Sequence, residues 1–261
     1  MRLLIKLGGT LLDSPESLDG LARQIAALPA SGHETVVVHG GGKQMTRFLT
    51  ERGVESRFVN GLRVTTPEVA DAVLKVFAGT VNKTLTGALL RAGARAAGIS
   101  GLDGLLAESV ALSPELGLVG RVVQTNPEIL NCLIGGGFLP VVACVGGSAD
   151  GSVYNVNADQ MAVACASGFR AERLLFLTDV PGVMDAGKAV LPRLTPSDCD
   201  RLIAEGVAAG GMEAKLRSAC AALTGGVGQV LIAPGAAPDV IARLLGGESL
   251  GTALVPEEAP C

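Results

Sequence analysis

Aliphatic runs that stop abruptly at Gly, Asp or Pro recur along this 261-residue chain. Arg2–Leu7 stops at Gly8-Gly9, Thr35–His39 at Gly40-Gly41-Gly42, and Ala94–Ile99 at Ser100-Gly101. Leu139–Val145 stops at Gly146-Gly147, Arg173–Thr178 at Asp179, and Gln229–Ala233 at Pro234-Gly235. Near-continuous apolar runs of this length suit strands buried on both faces, the mark of a parallel sheet. Between them, helical periodicity predicts helices near Ser17–Ala27, Lys43–Arg52, Pro67–Ala78, Val81–Ala92 and Pro127–Gly135. Further helices are predicted near Ala158–Ser167, Pro196–Glu205, Met212–Leu223 and Pro238–Leu244. Alternating strands and helices predict an α/β fold, a three-layer αβα sandwich on a mostly parallel open sheet. Gly146–Val156 and Val183–Leu191 read as hairpin or loop insertions.

Composition matters here chiefly for what it excludes. Charged residues are 18% and the formal net charge is −4, with Lys and Arg scattered, which argues against a nucleic-acid partner. No apolar stretch reaches the roughly 20 residues of a membrane span, and a strand begins almost at Met1, so a soluble, cytoplasmic protein is expected. The six cysteines (132, 144, 165, 199, 220 and 261) form no CxxC pair, and the histidines are two, His33 and His39. Reduced, mostly buried thiols and no metal site are therefore expected.

In an open α/β sheet, ligands bind beyond the carboxyl ends of the strands. Gly8-Gly9, Gly40–Gly42, Gly101, Gly146-Gly147 and Gly182 all fall at or after such ends, where backbone N–H groups can approach a phosphate. No GxxxxGK[ST] is present, so this is not a P-loop protein. The GxGxxG dinucleotide turn and the protein-kinase motifs are missing too. His39-Gly40-Gly41-Gly42 mimics an esterase oxyanion loop but has no GxSxG elbow or later histidine to work with.

Three charged residues stand out. Lys6 lies inside Leu3-Leu4-Ile5-Lys6-Leu7, where a buried ammonium needs a counter-charge or an anionic ligand. Asp159 follows Asn157-Ala158 in the first turn of a predicted helix, where ordinary capping accounts for it equally well. Lys215 follows the flexible pair Gly210-Gly211 in the first turn of another, and taken alone it reads as a solvated helix lysine.

In order and spacing these pieces resemble the amino-acid kinase family over nearly the whole chain. The resemblance runs through Lys6-Leu7-Gly8-Gly9, His39-Gly40-Gly41-Gly42, Asn60-Gly61-Leu62-Arg63-Val64-Thr65 and Asn82-Lys83. It continues through Ser100-Gly101-Leu102-Asp103-Gly104, Tyr154-Asn155-Val156-Asn157-Ala158-Asp159, Thr178-Asp179-Val180-Pro181-Gly182-Val183 and Gly210-Gly211-Met212. Leu102 departs from the lysine often found there.

The resemblance implies a carbamate-kinase-like fold. It also implies transfer of the γ-phosphoryl group of ATP, with Mg²⁺ riding on the ATP phosphates, to the side-chain carboxylate of N-acetyl-L-glutamate. Residues 1–160 would form an amino-terminal lobe for the acyl substrate, and 161–261 a carboxyl-terminal lobe for the nucleotide. Lys6 and Lys215 would flank the transferring group, with Asp159 orienting both. Gly8, Gly9, Gly41 and Gly42 would offer N–H donors, the last two also approaching the acyl substrate. Arg63 would clamp the α-carboxylate and Asn155 the N-acetyl-amino portion. Asp179, Val180, Pro181, Gly182, Val183 and Met184 would lie along the nucleotide, with Val207, Ala208, Ala209, Gly210 and Gly211 closing over it.

Within the family, kinases of N-acetylaminoadipate or carrier-linked amino acids tend to carry His-Gly-Gly-Ser, and this chain reads His39-Gly40-Gly41-Gly42. A catalytically silent amino-acid-binding member is the other alternative. The family's arginine-inhibited members add a helix before the first strand. Here that strand starts at Arg2, so a homodimer insensitive to arginine is expected.

Overall fold

The computed structural model describes residues 1–257; Cys261 lies outside them. The chain opens with β1 (Arg2–Leu7), α1 (Pro15–Ala26), β2 (Glu34–His39) and α2 (Gly42–Thr50). A hairpin of β3 (Phe58–Val59) and β4 (Leu62–Arg63) precedes α3 (Pro67–Val73). A π-helical segment, Leu74–Val81, leads directly into α4 (Asn82–Arg91). Next come β5 (Ala96–Ser100), β6 (Ala107–Ala111), β7 (Val119–Thr125), α5 (Glu128–Gly135), β8 (Leu139–Ala143), β9 (Val145–Gly147) and β10 (Val153–Val156). The remainder is α6 (Ala158–Phe169), β11 (Arg173–Thr178), β12 (Arg193–Leu194), α7 (Pro196–Ala204), α8 (Gly211–Thr224), β13 (Gln229–Pro234), α9 (Val240–Leu245) and β14 (Thr252–Leu254).

Eight strands form one sheet in the order β12-β14-β13-β11-β1-β2-β8-β5. From β13 to β5 every neighbour is parallel, while β14 joins β13 antiparallel and carries β12, parallel to it, at the edge. Side chains alternate across the sheet. Leu4, Val36, Val38, Val142, Leu174, Phe176 and Ile232 pack one core layer together with α6 and α8 residues such as Met161 and Leu216. Leu3, Ile5, Val37, Val141, Leu175 and Leu231 pack the other, with α1, α4 and α9 residues such as Leu21, Leu85 and Ile241. By this alternation Lys6 shares the face of Leu4, toward α6, and His39 shares the face of Val37, toward α4.

The helix starts carry their own signals. Ser14 accepts a hydrogen bond from Ser17 N and Thr66 one from Val69 N, each with proline at the next position. Thr195 and Asp198 form a reciprocal capping box. Asn157 Oδ1 accepts from Asp159 N and Gln160 N, which fixes the start of α6.

Two sequence readings need correction. The helices predicted at Pro67–Ala78 and Val81–Ala92 run on as one, because the π-helical turns absorb Gly79 without a break. The run Leu139–Val145 splits after Ala143, and its last residue enters a small closed barrel, β10-β7-β6-β9. In that barrel a Cβ on Gly146 would lie 2.2 Å from Ser109 Oγ, and one on Gly147 2.1 Å from Leu102 Cδ1. One on Gly101 would lie 2.6 Å from Val145 O. These three glycines serve close packing rather than anion binding. The hairpin readings hold: β9 pairs antiparallel with β10, and Met184 bridges Val190. The five described cysteines are free thiols. No helix among the described residues is long and apolar enough to cross a membrane.

Candidate active site

β1, α6 and α8 bring three charges together at the carboxyl end of the sheet. Lys6 Nζ lies 2.7 Å from Asp159 Oδ1, and Lys215 Nζ donates to Asp159 Oδ2 at 2.9 Å. Oδ1 receives no well-aligned hydrogen bond, so the Lys6 contact is chiefly Coulombic. The three side chains are only 10–15% exposed. Burial alone would raise the Asp159 carboxyl, but the ammonium groups of Lys6 and then Lys215 outweigh it and hold it below its ordinary value. Lys215 is pulled below the usual lysine range by burial and then by repulsion from Lys6, against the attraction of Asp159. α8 begins at Gly211, so Lys215 stands at its fifth residue, just past the first turn. Asp159 is the carboxylate in contact with both ammonium groups, and Asp179 adds a weaker attraction on Lys215, so by contact one carboxylate faces two ammonium groups. The cluster is built to receive an anion.

The glycine loops after β1 and β2 lie beside it. A Cβ on Gly9 would sit 3.4 Å from Gly42 N and 3.5 Å from Gly41 N, so the two loops touch backbone to backbone. A Cβ on Gly41 would strike the Phe77 ring at 2.9 Å, a ring held there by the π-helical segment. The N–H groups of Gly9, Gly41 and Gly42 have no acceptor among the described residues. That of Gly8 is taken, donating to Leu177 O at 3.0 Å in continuation of the β1–β11 ladder. The Gly8 N–H is therefore occupied within the sheet, where a free donor was expected, and that of Gly9 is open.

A cavity of about 250 Å³ opens here, lined by Lys6, Gly9, Gly40–Gly42, Arg63, Phe77, Cys144, Asn155 and Asn157, among others. Arg63 is buried, and its Nη2 donates to Thr46 Oγ1 at 2.7 Å and to Gly42 O at 3.3 Å. Its Nη1 donates to Ser56 Oγ, and its guanidinium lies 4.7 Å from the Phe58 ring centroid. Asn155 Nδ2 donates to Thr65 Oγ1 at 3.0 Å. The cavity joins a guanidinium, a carboxamide and open amides to the Lys6–Asp159–Lys215 cluster.

The pattern described as the amino acid kinase family matches residues 1–234 of this chain. The chain belongs to that family. A protein named acetylglutamate kinase, from Solibacter usitatus (strain Ellin6076), is 62% identical over 98% of this chain and 99% of its own length. Among solved structures, N-acetylglutamate synthase from Neisseria gonorrhoeae, complexed with coenzyme A and N-acetyl-glutamate, superposes with a TM-score of 0.87 at 26% identity. That match covers 99% of this chain, which spans 60% of the synthase. Carbamate kinase from Giardia lamblia bound to AMP-PNP superposes at 0.71 with 14% identity, over 98% of each chain, and shares the fold.

The residues expected along a nucleotide divide by burial. Asp179, Pro181, Met184, Ala209, Gly210 and Gly211 are exposed, while Val180 and Val207 are half-buried. Val183 and Ala208 are core residues. Val183 donates its N–H to Thr252 Oγ1 at 2.8 Å and accepts from Leu191 N, and Ala208 donates to Leu202 O. Both backbone groups of Val183 are taken and both side chains are buried, so these two residues shape the loops that carry their neighbours. Gly182 (φ +152°) is buried against Gly251, Thr252 and Val190 and belongs with them.

Phe77 and Gln44 went unnoticed in the sequence. Gln44 donates to Gly9 O at 3.2 Å and to Asp13 Oδ1 at 2.7 Å. Neither has a local signal, since both look like ordinary helix residues.

Proposed function

We propose that this protein transfers the γ-phosphoryl group of ATP to the side-chain carboxylate of N-acetyl-L-glutamate, giving an acyl phosphate. The observation that carries this reading is the convergence of Lys6 and Lys215 on Asp159. The acyl acceptor is supported by the relatives: an acetylglutamate kinase, and a synthase complex that holds N-acetyl-glutamate.

The nucleophile is a carboxylate, ionised at neutral pH, so no general base is required. The obstacle is electrostatic, because an anion must approach a polyanion. In-line positioning and neutralisation of the equatorial oxygens lower that barrier. In this proposal Lys6 and Lys215 contact the transferring group from its two sides, Asp159 keeps them apart and aimed, and the N–H groups of Gly9, Gly41 and Gly42 share the developing charge. Arg63 pairs with the α-carboxylate and Asn155 meets the N-acetyl-amino portion. Mg²⁺ arrives on the ATP phosphates as part of the substrate. Both Asp159 oxygens already face lysines, so that residue is not a metal ligand.

Residues 1–160 serve the acyl substrate and the remainder the nucleotide, with Asp179, Pro181, Met184 and the 207–211 loop along the ATP. A cytoplasmic homodimer completes the proposal. A coupled ADP-release assay offering N-acetylglutamate, glutamate, aspartate and N-acetylaminoadipate separately tests it. Turnover is expected with N-acetylglutamate far above the others. Preference for N-acetylaminoadipate would replace the substrate, and binding without turnover would make this a non-catalytic member.

A further inference from the structure

His39 does not line the cavity, yet it holds the loop that does. It is fully buried at the end of β2, on the face of the sheet opposite Lys6 and Asp159. Its Nδ1 lies 2.8 Å from Gly40 O, and its Nε2 lies 3.1 Å from Nδ2 of Asn82, a residue of α4.

The chemistry of the neighbours decides where the imidazole proton sits. Lys83 Nζ is 3.1 Å from Asn82 Oδ1, and an ammonium only donates, so that atom of the carboxamide is its oxygen. Asn82 Nδ2 in turn faces Val141 O at 2.9 Å and Ile99 O at 3.3 Å, which only accept. The carboxamide is thereby fixed with its NH₂ toward His39. Gly40 O only accepts, so Nδ1 carries the imidazole hydrogen and donates it there, and the Nε2 that faces the Asn82 NH₂ is left without one. Burial and the nearby Lys83 hold the imidazole neutral, its pKa lowered to about 4, against the opposing pull of the Gly40 carbonyl. Gly98 leaves the room this network needs, since a Cβ there would lie 2.0 Å from Asn82 Oδ1.

Gly40 O and Gly41 N–H belong to one peptide unit. The described chain has no cis peptide bond, so the two groups point in opposite directions. Fastening the carbonyl toward His39 aims the Gly41 N–H the other way. We propose that His39, set in its Nδ1–H form by Asn82 and Lys83, is a positioning residue that orients the Gly41 amide donor for phosphoryl transfer. This rests on the function proposed above.

With only two histidines, ¹⁵N-imidazole NMR of the wild-type protein, with His33→Gln for assignment, reads the tautomer directly and requires no turnover. The Nδ1–H form is expected for His39, and a proton on Nε2 overturns the proposal. Kinetics supply the second arm. His39→Leu removes the donor and should lower kcat on the order of tenfold, short of the 10²–10³ typical of a direct donor. KM for both substrates should stay within about twofold. His39→Asn places an N–H where Nδ1 was, and should regain most of kcat although both variants lose the Asn82 contact to Nε2, leaving its NH₂ to Val141 O and Ile99 O, and melt lower. Equal kcat in the two variants, or kcat that follows melting temperature rather than the donor, rejects the positioning role. Absence of wild-type turnover with every acyl substrate would instead sink the proposed reaction, and the NMR arm would still report whether His39 holds Gly40.

Discussion

Set side by side, the two halves of the sheet meet the site in different ways. On the β1–β2–β8–β5 side, the side chains proposed for the acyl substrate are buried or half-buried and already hydrogen-bonded. Arg63 is held by Thr46 and Gly42, Asn155 by Thr65, and the Gly40 carbonyl by His39. On the β11–β13 side, the groups proposed for the nucleotide sit on exposed turns. Gly210 there adopts φ +56°, ψ −121°, and a Cβ at that position would touch nothing within 4 Å. The contrast teaches a division of labour. Under the proposed assignment, a small acid would be recognised in a pre-formed cavity whose ordering cost is met on folding, while a large nucleotide would be laid on an open rim. Only Asp159 answers to both halves.

That shared carboxylate gives the strongest test. Asp159→Ala leaves two buried ammonium groups facing each other. It should abolish measurable turnover in the ADP-release assay and cost about 3–5 kcal/mol in a urea melt, the usual penalty for breaking a buried ion pair. A stable, active variant would dissolve the link between the halves.

Next come the lysines, one from each half. Lys6→Ala and Lys215→Ala should each lower kcat by about 10²–10³. Wild-type turnover in one of them would shift the site wholly onto the other half.

The buried imidazole makes the acyl side acid-sensitive. The His39 pKa falls from 6.5 to about 4 on folding, so the unfolded chain binds the extra proton in that window. Its contribution is complete above pH 6.5 and drains away as pH drops toward 4, at a cost of about 3 kcal/mol. Denaturant melts across this range should show that slope, and His39→Asn should flatten it. An unchanged slope would assign the proton uptake elsewhere.

The smallest effects separate the halves most cleanly. Arg63→Ala should raise KM for the acyl substrate by about tenfold or more through loss of a charge-assisted contact, with KM for ATP unmoved. Gly210→Ala should do the reverse, raising KM for ATP by about three- to tenfold, because a backbone conformation that favours glycine costs about 1–3 kcal/mol with a side chain. Crossed results would swap the proposed assignments.

Much of the fold could be read from residue order because a buried parallel strand needs an apolar run, and a run is local. β1 and β11 fall where their aliphatic stretches predicted. The Asn157 cap acts within three residues and is equally visible. The barrel was not legible, since Ala107–Ala111 and Val119–Thr125 mix apolar with polar residues and form no aliphatic run.

The same line divides the site. Sequence alone determined that Lys6 would need a counter-charge and that glycines would crowd the strand ends, because burial cost and turn chemistry belong to single residues. Tertiary structure alone decided which glycine amides stay open, that Val183 and Ala208 are core, and that His39 grips a carbonyl from behind the sheet. Those outcomes depend on strand register and on helices that dock from far along the chain; Lys215 and Asp159 meet across 56 residues. A hydrogen bond is won or lost over less than an ångström, a distance that only the packed fold sets.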